Sequence, residues 1–114
     1  MNNSSGHSAL VSAIRLELGR EPDLTLWPVQ PGGIHDGSGR PMRCGPVGMS
    51  DLIGILAPAG RWIGLEVKTG KGKLRPDQVL FHDLLRSRGG FCCVVRSVED
   101  ARAALDRARR GECK

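Results

Sequence analysis

Two carboxylates and a lysine stand at the ends of two apolar segments that follow one another in the chain. Asp51 opens the first segment, and Glu66 and Lys68 close the second. The turn-forming residues at 58–60 between the segments predict a β-hairpin. Folding the chain back there brings Asp51 opposite the region of Val67 and Lys68. Because buried charge is costly unless it is paired or binds a metal, these side chains are candidates for chemistry.

The chemistry that these residue types favour is metal-assisted hydrolysis of a phosphodiester. Two carboxylates at one end of a sheet could hold Mg²⁺, which prefers oxygen ligands, and the main-chain carbonyl of Val67 could be a third ligand. A bound metal lowers the pKa of a water molecule and polarises a phosphoryl oxygen. Lys68 could orient the attacking water or stabilise charge in the transition state. Gln78, near the start of the next helix, could reach the same place.

Each of these residues also fits a purely structural role. The charged side chains of the hairpin could form an ion pair at the end of a sheet, and Gln78 could be an exposed residue of a first helical turn. Lys71, Lys73 and Arg75 could contact phosphate groups or belong to a solvated turn. The sequence favours ordinary surface or loop positions for the histidines, which are His7, His35 and His82.

The elements around the hairpin predict an α/β (α+β) fold, in which helices flank a small mixed β-sheet. Apolar residues on both faces of the hairpin strands indicate a sheet covered by helices. Glu66 and Lys68 share one face of their strand, since side chains two apart point the same way. The predicted elements are a helix over 8–18, a strand over 24–29, a loop over 30–48, the hairpin over 51–68, a helix over 76–88, a strand over 91–95 and a helix capped by Ser97.

Composition limits the classes of protein to which the chain could belong. Its 114 residues suit one domain, predicted over 7–110 between a disordered lead-in at 1–6 and a tail at 111–114. The net charge of +5 favours a polyanionic partner. With two Trp, two Phe and no Tyr, the chain lacks the aromatic residues of a base-stacking platform.

The four cysteines indicate reduced thiols rather than a zinc site or a disulfide framework. No pair has C-x-x-C spacing, and Cys92 and Cys93 lie in an apolar run where small buried residues fit. The amino terminus lacks the pattern of a signal peptide, and no apolar run is long enough to span a bilayer. We therefore expect a cytoplasmic protein with no membrane partner.

The hairpin and the segment after it also resemble a known family. The stretch GMSDLIG followed by GLEVKTGKGKLRPDQ, with FHDLLRSRGGFCCVVRSVEDA downstream, is similar to the VRR-NUC (virus-type replication-repair nuclease) domains of the PD-(D/E)XK superfamily. The resemblance runs from about Ser8 to about Ala104. It implies a restriction-endonuclease-like core and cleavage of DNA that depends on Mg²⁺ or Mn²⁺. Stand-alone members are mostly phage or bacterial proteins of replication and repair, associated with structured or branched DNA and often dimeric.

The resemblance also implies a role for individual residues. Asp51 and Glu66 would be metal ligands together with the Val67 carbonyl, Lys68 the catalytic lysine and Gln78 the motif glutamine. Two positions depart from the family. Its members often carry an Arg-Asn pair after the tryptophan of the first strand, where Pro28 and Val29 follow Trp27 here, and they usually carry a glutamate near the start of the first helix that contributes to the metal site. Here about His7 or Ser8 stands at that place.

Two further functions remain open on the sequence alone. A nuclease-fold module could hold DNA without cutting it, and the missing acid in the first helix is the reason to consider this alternative. A protein-interaction domain whose charges are only solvated would bind no DNA even at low salt. Metal-dependent cleavage of DNA is the prediction that the hairpin residues favour.

Overall fold

Three helices and four strands make up the regular structure of residues 3–29, 37–40 and 48–114, the part of the chain that the computed structural model describes. The bounds of the elements are α1 Asn3–Leu18, β1 Leu24–Pro28, β2 Leu52–Leu56, β3 Arg61–Val67, α2 Pro76–Ser87, β4 Phe91–Val95 and α3 Val98–Arg109. Of the predicted loop over 30–48, residues 30–36 and 41–47 lie outside the described part.

The strands form one mixed sheet in the order β1-β2-β3-β4. β1 pairs with β2 and β2 with β3 in antiparallel fashion, whereas β3 and β4 are parallel and are joined through α2. The predicted α+β class, with a mixed sheet flanked by helices, is confirmed. β1 forms an edge of the sheet, which agrees with Pro28 at its end, since proline cannot donate to a strand ladder.

Different helices pack on the two faces of the sheet. On one face, alternate residues of β3 join a buried cluster with α1 and α3, and those residues are Ile63, Leu65 and Val67. On the other face, Glu66 contacts α2 through Gln78. The predicted alternation along β3 is therefore confirmed. The second face of β2 is covered only in part, because Ile55 remains 43% exposed.

The register of the hairpin differs slightly from the prediction. Leu52 lies opposite Leu65, and the ladder continued by one residue places Asp51 opposite Glu66 rather than opposite Val67 or Lys68. The difference arises because the turn occupies residues 57–60, so the hairpin folds earlier than at Ala59 or Gly60. This register places Asp51 nearer to Glu66 than the sequence predicted.

The first helix begins at Asn3, five residues before its predicted start at Ser8. Residues 3–6, which the sequence placed in a disordered lead-in, belong to this helix. The core-facing side chains of α1 include Val11, Ile14 and Leu18, and His7 continues their spacing by one more turn. His7 contacts Asp51 and Val67, so α1 touches the hairpin one turn before its first apolar core residue. In the described part of the chain no helix is long and apolar enough to cross a membrane.

Candidate active site

Asp51 is fixed at the open end of the hairpin, immediately before β2. Its Oδ2 accepts a hydrogen bond of 2.8 Å from the main-chain N–H of Val67 on the neighbouring strand. Its own carbonyl accepts a hydrogen bond of 2.8 Å from the N–H of Val29, after β1. The carboxylate is therefore held by the backbone of β3, beside the carbonyl proposed from sequence as a ligand.

Glu66 points from β3 toward α2 and is only 3% exposed. Its Oε1 accepts a hydrogen bond of 2.9 Å from Nε2 of Gln78 and lies 3.7 Å from Nζ of Lys68. Its Oε2 is buried and has no hydrogen-bond partner in the described part of the chain. Such an oxygen is an exception, because buried polar atoms are nearly always paired.

The surroundings of Glu66 oppose its negative charge. Burial raises the pKa of this carboxyl group most, the neighbouring carboxylate of Asp51 acts in the same direction, and the net result is a pKa of about 8. Lys68 acts in the opposite direction but is outweighed. A divalent cation between the two carboxylates would oppose both the burial cost and their mutual repulsion.

Gln78 connects the remaining members of the site. Its Oε1 accepts hydrogen bonds from Nζ of Lys68 at 3.1 Å and from the main-chain N–H of Arg75 at 2.9 Å, while its amide donates to Glu66. The same side chain thus caps the start of α2 and holds the lysine beside the glutamate. The structure brings Asp51, Glu66, Lys68 and Gln78 together, as the sequence predicted.

His7 reaches the same place from α1. Its Nε2 lies 3.0 Å from the carbonyl oxygen of Val67 and 3.3 Å from Oδ2 of Asp51. Both partners are acceptors, so Nε2 carries the hydrogen in this arrangement. The expectation of an ordinary surface position for His7 is wrong. The signal that could have found it is its place on the stripe of α1 that faces the core.

Of the other two histidines, one differs from its predicted placement and the other is not described by the structure. His82 is buried in α2 rather than at the surface, and burial lowers the pKa of its imidazole. His35 lies outside the described residues. The sequence also missed Ser50, which is fully buried next to Asp51.

The basic turn between β3 and α2 presents Lys71 and Lys73 to solvent. Arg75 is also exposed, and its guanidinium contacts the carboxylate of Asp77 at 3.2 Å. Arg96 stabilises the turn, because its guanidinium donates hydrogen bonds to the carbonyls of Gly70 and Gly72 at 3.2 and 2.7 Å. Sequence reasoning missed Arg96. Contact of the three predicted residues with phosphate stays a prediction.

The donor atoms fit a hard divalent cation in their chemistry. The carboxylates of Asp51 and Glu66 and the carbonyl of Val67 are all oxygen donors, as Mg²⁺ and Mn²⁺ prefer. Across residues 3–29, 37–40 and 48–114, no three His, Cys, Asp or Glu side chains are grouped as a metal centre. The fit therefore depends on two carboxylates and a main-chain oxygen, with the unpartnered Oε2 of Glu66 as its main indication.

The cysteines that the structure describes do not take part in this site. Cys92 and Cys93 are free and buried in β4, and burial raises the pKa of the Cys92 thiol to about 11. Cys113 is free and exposed, and Cys44 lies outside the described residues. The prediction of small buried thiols in β4 is confirmed, and such thiols are poor nucleophiles because they remain protonated.

A depression at the opposite end of the sheet is a weaker candidate. It lies beside the hairpin turn and is lined by residues that include Asp23, Arg61 and Arg109. Asp23 and Arg109 form two hydrogen bonds with each other, at 2.8 and 2.9 Å. Since these charges are already paired, the end of the sheet that carries Glu66 is the better candidate for chemistry.

No protein-family model matches this chain, and no curated protein matches its sequence. The similarity to VRR-NUC domains therefore rests on the motifs quoted above and stays a prediction. The geometry adds an independent observation, which is the convergence of two carboxylates, a lysine and a glutamine at one end of the sheet.

Proposed function

We propose that this protein is an endonuclease that hydrolyses phosphodiester bonds in DNA with the help of Mg²⁺ or Mn²⁺. The observation that carries the proposal is the buried Oε2 of Glu66, which has no partner in the described part of the chain and lies beside a second carboxylate. The resemblance to VRR-NUC domains supports it. By the same resemblance, structured or branched DNA, a role in phage or bacterial replication and repair, a cytoplasmic location and a homodimer belong to the proposal.

The residues of the site divide the work of this reaction. Asp51, Glu66 and the carbonyl of Val67 would hold the cation, which when bound lowers the pKa of a water and polarises the phosphoryl oxygen. Lys68 keeps its ammonium group against Gln78 and Glu66, where it can stabilise negative charge on a phosphate. Gln78 orients both charged side chains.

Cleavage assays with a matched pair of variants test the proposal. Linear and branched DNA are incubated with the protein in Mg²⁺ or Mn²⁺, with and without chelator. Asp51→Asn keeps an oxygen that can accept from the Val67 N–H but removes the charge. Glu99→Gln makes the same change of charge at an exposed position of α3.

We expect cleavage by the wild type and by Glu99→Gln, and a loss of roughly 100-fold or more in Asp51→Asn, since metal-bound catalysis depends on the ligand set. Chelator should abolish cleavage. Absence of cleavage by the wild type with either metal, or equal cleavage by Asp51→Asn, would show that this protein is not such an enzyme.

A second candidate is a nuclease-fold module that binds DNA without cutting it. The hydrogen bonds of His7 to Asp51 and to the Val67 carbonyl favour this candidate, because they satisfy two of the proposed ligands without a metal. Calorimetry separates the two functions. Absence of heat on titration with Mn²⁺, together with DNA binding that weakens steeply with salt, would support the module.

A further inference from the structure

We propose that Trp27 stacks against an unpaired base of the DNA substrate, beside the phosphodiester that is cut. The inference rests on the proposed function and deepens it by naming the class of DNA, which is duplex that adjoins unpaired nucleotides. It starts from the strand register, which places a partly exposed tryptophan on the same face of the sheet as Glu66.

The ladder places Trp27 on the face of the sheet that carries the candidate site. Trp27 lies opposite Ile53 on β2, and Ile53 lies opposite Gly64 on β3. Directly paired residues share a face, and side chains two apart on a strand point the same way. Glu66 is two residues after Gly64, so Trp27 and Glu66 point to the same side of the sheet.

Trp27 is also close to Asp51 along the sheet. The ladder between β1 and β2 continues past Trp27, because the N–H of Val29 donates to the carbonyl of Asp51 at 2.8 Å. Asp51 therefore stands diagonally across from Trp27, and diagonal neighbours of an antiparallel pair are about 7–8 Å apart. A nucleotide whose phosphate lies at the carboxylates can thus place its base on the indole.

The indole is accessible because α2 packs on the other half of this face. Gln78 contacts Glu66 on β3, and the thiol of Cys92 on β4 donates to the carbonyl of His82. Trp27, on β1, remains 38% exposed. Every nucleobase has a flat face that can stack on an aromatic side chain, so the exposed indole suits an unpaired base.

The charges beside the site favour nucleic acid as the occupant of this surface. The strand order places the carboxylates of the site between Trp27 and the basic turn that carries Lys71 and Lys73. Arg96, which follows β4, holds that turn on the far side from β1. Phosphates of paired DNA can contact the turn while an unpaired base stacks on Trp27. One tryptophan is not a platform for several bases, but it is enough for one.

Tryptophan fluorescence tests the contact, because a base stacked on an indole quenches its emission. Trp62→Phe retains Trp27 alone, and the matched variant Trp27→Phe retains Trp62 alone. Each is titrated in chelator with a blunt duplex and with a forked DNA, which has the same paired region and two unpaired arms. We expect the forked DNA to quench Trp62→Phe more than the blunt duplex does, and neither DNA to change the emission of Trp27→Phe.

Binding affinities separate stacking from apolar contact. Trp27→Leu keeps an apolar side chain but has no aromatic face. It should weaken binding of the forked DNA about 5- to 150-fold, the range expected for loss of one stacked base, and leave binding of the blunt duplex unchanged. Trp27→Phe should retain most of the affinity, because phenylalanine also stacks. Equal weakening of the two DNAs by Trp27→Leu would overturn the unpaired base as the occupant.

The wild-type protein allows a test that needs no variant. Forked DNA with abasic arms keeps every phosphate but offers no unpaired base, and it should bind about 5- to 150-fold more weakly than the ordinary forked DNA. Equal binding of these two DNAs would overturn the role of Trp27, and cleavage by the same protein in Mn²⁺ would leave the proposed function standing. Absence of DNA binding together with absence of cleavage would overturn both.

Discussion

At Glu66, burial and a neighbouring charge act in the same direction on one carboxyl group. Both raise its pKa, to about 8 from an ordinary value of 4.5. The protonated form is therefore favoured in the folded, metal-free protein more than in the unfolded chain. Its contribution to stability is fully present below pH 4.5 and is lost as the pH rises through about 8.

The first prediction follows from this linkage. In chelator, the free energy of unfolding of the wild type should fall between pH 5 and pH 8.5 by an amount on the order of a few kcal/mol. Glu66→Gln should show a much smaller fall, because its amide does not titrate. Denaturant unfolding at a series of pH values measures both, and Glu99→Gln serves as the exposed control. A parallel fall in Glu66→Gln would assign the pH dependence to other groups.

Residue types, spacing and the resemblance together predicted four side chains that the structure brings close to one another. Asp51, Glu66, Lys68 and Gln78 lie on elements with clear signals, and the hairpin brings the first three together. The contacts of His7 with Asp51 and the Val67 carbonyl were not predicted, because an imidazole is not the acid that the motif requires. Its contact with the hairpin depends on how α1 lies across the sheet, which the local sequence does not determine.

At the scale of elements, strong local signals predicted most bounds. Pro76 at the first position of α2, Gly89 after its end and Ser97 as the cap of α3 stand where the sequence placed them. Local signals failed where contacts distant in sequence decide the outcome. The start of α1 is one such place, and the hairpin register, set by the conformation of residues 57–60, is the other.

The segment before Asp51 is joined to α2 by close backbone contact. Gly48 has a φ of +82°, and a Cβ added there would lie 2.3 Å from the carbonyl oxygen of Asp77. That distance leaves no room for a side chain. Gly48 therefore couples the position of Asp51 to the first turn of α2, where Gln78 holds Glu66 and Lys68.

The second prediction compares Gly48→Ala with Gly89→Ala. Gly89 also has a positive φ, of +92°, but an added Cβ there would have nothing within 4 Å. Gly89→Ala should therefore cost only the backbone strain, about 1–2 kcal/mol, and leave metal binding unchanged. Gly48→Ala should cost more and weaken metal binding, because α2 must move away from Asp51.

Unfolding in denaturant and calorimetry with Mn²⁺ measure the two effects separately. Equal destabilisation by the two substitutions, with metal affinity unchanged in both, would mean that the contact of Gly48 with α2 does not position the site. The two variants share the same change of residue and the same class of backbone conformation. Their difference therefore isolates the close approach to Asp77.

At the scale of the whole molecule, the charged groups at the two ends of the sheet differ in how they are hydrogen-bonded. At the turn end, the guanidinium of Arg61 donates to the carbonyls of Gly89, Ala108 and Glu112 at 2.9, 3.0 and 2.7 Å, which ties β3 to the ends of α2 and α3. Its charge is thus used within the fold. At the open end, charged groups converge, and Oε2 of Glu66 and Oγ of Ser50 have no partner in the described part of the chain. Charges are thus paired within the fold at the turn end, and the candidate site lies at the opposite end.

Some of the basic side chains are paired within the fold, and others are exposed beside the candidate site. Several arginines in α3 and directly after it are engaged in ion pairs, among them Arg102 with Glu17 and Arg110 with Glu112. Lys71 and Lys73 lie exposed on the turn that Arg96 holds next to the site. If DNA is the substrate, the turn should supply more of the phosphate contacts than the arginines that are already engaged in ion pairs.

The last prediction uses this contrast. The double variant Lys71→Ala/Lys73→Ala and the double variant Arg102→Ala/Arg110→Ala each remove two positive charges, so the net charge of the two proteins is equal. Binding of a DNA duplex in the presence of a chelator is measured over a range of salt concentrations.

Each lost phosphate contact should reduce the slope of log affinity against log salt by about 0.9. We expect a reduction of about 1 to 2 in the lysine variant and little change in the arginine variant. Equal slopes in the two variants would show that net charge, rather than the turn beside the site, attracts DNA, and the path of the substrate would then have to be sought elsewhere on the surface.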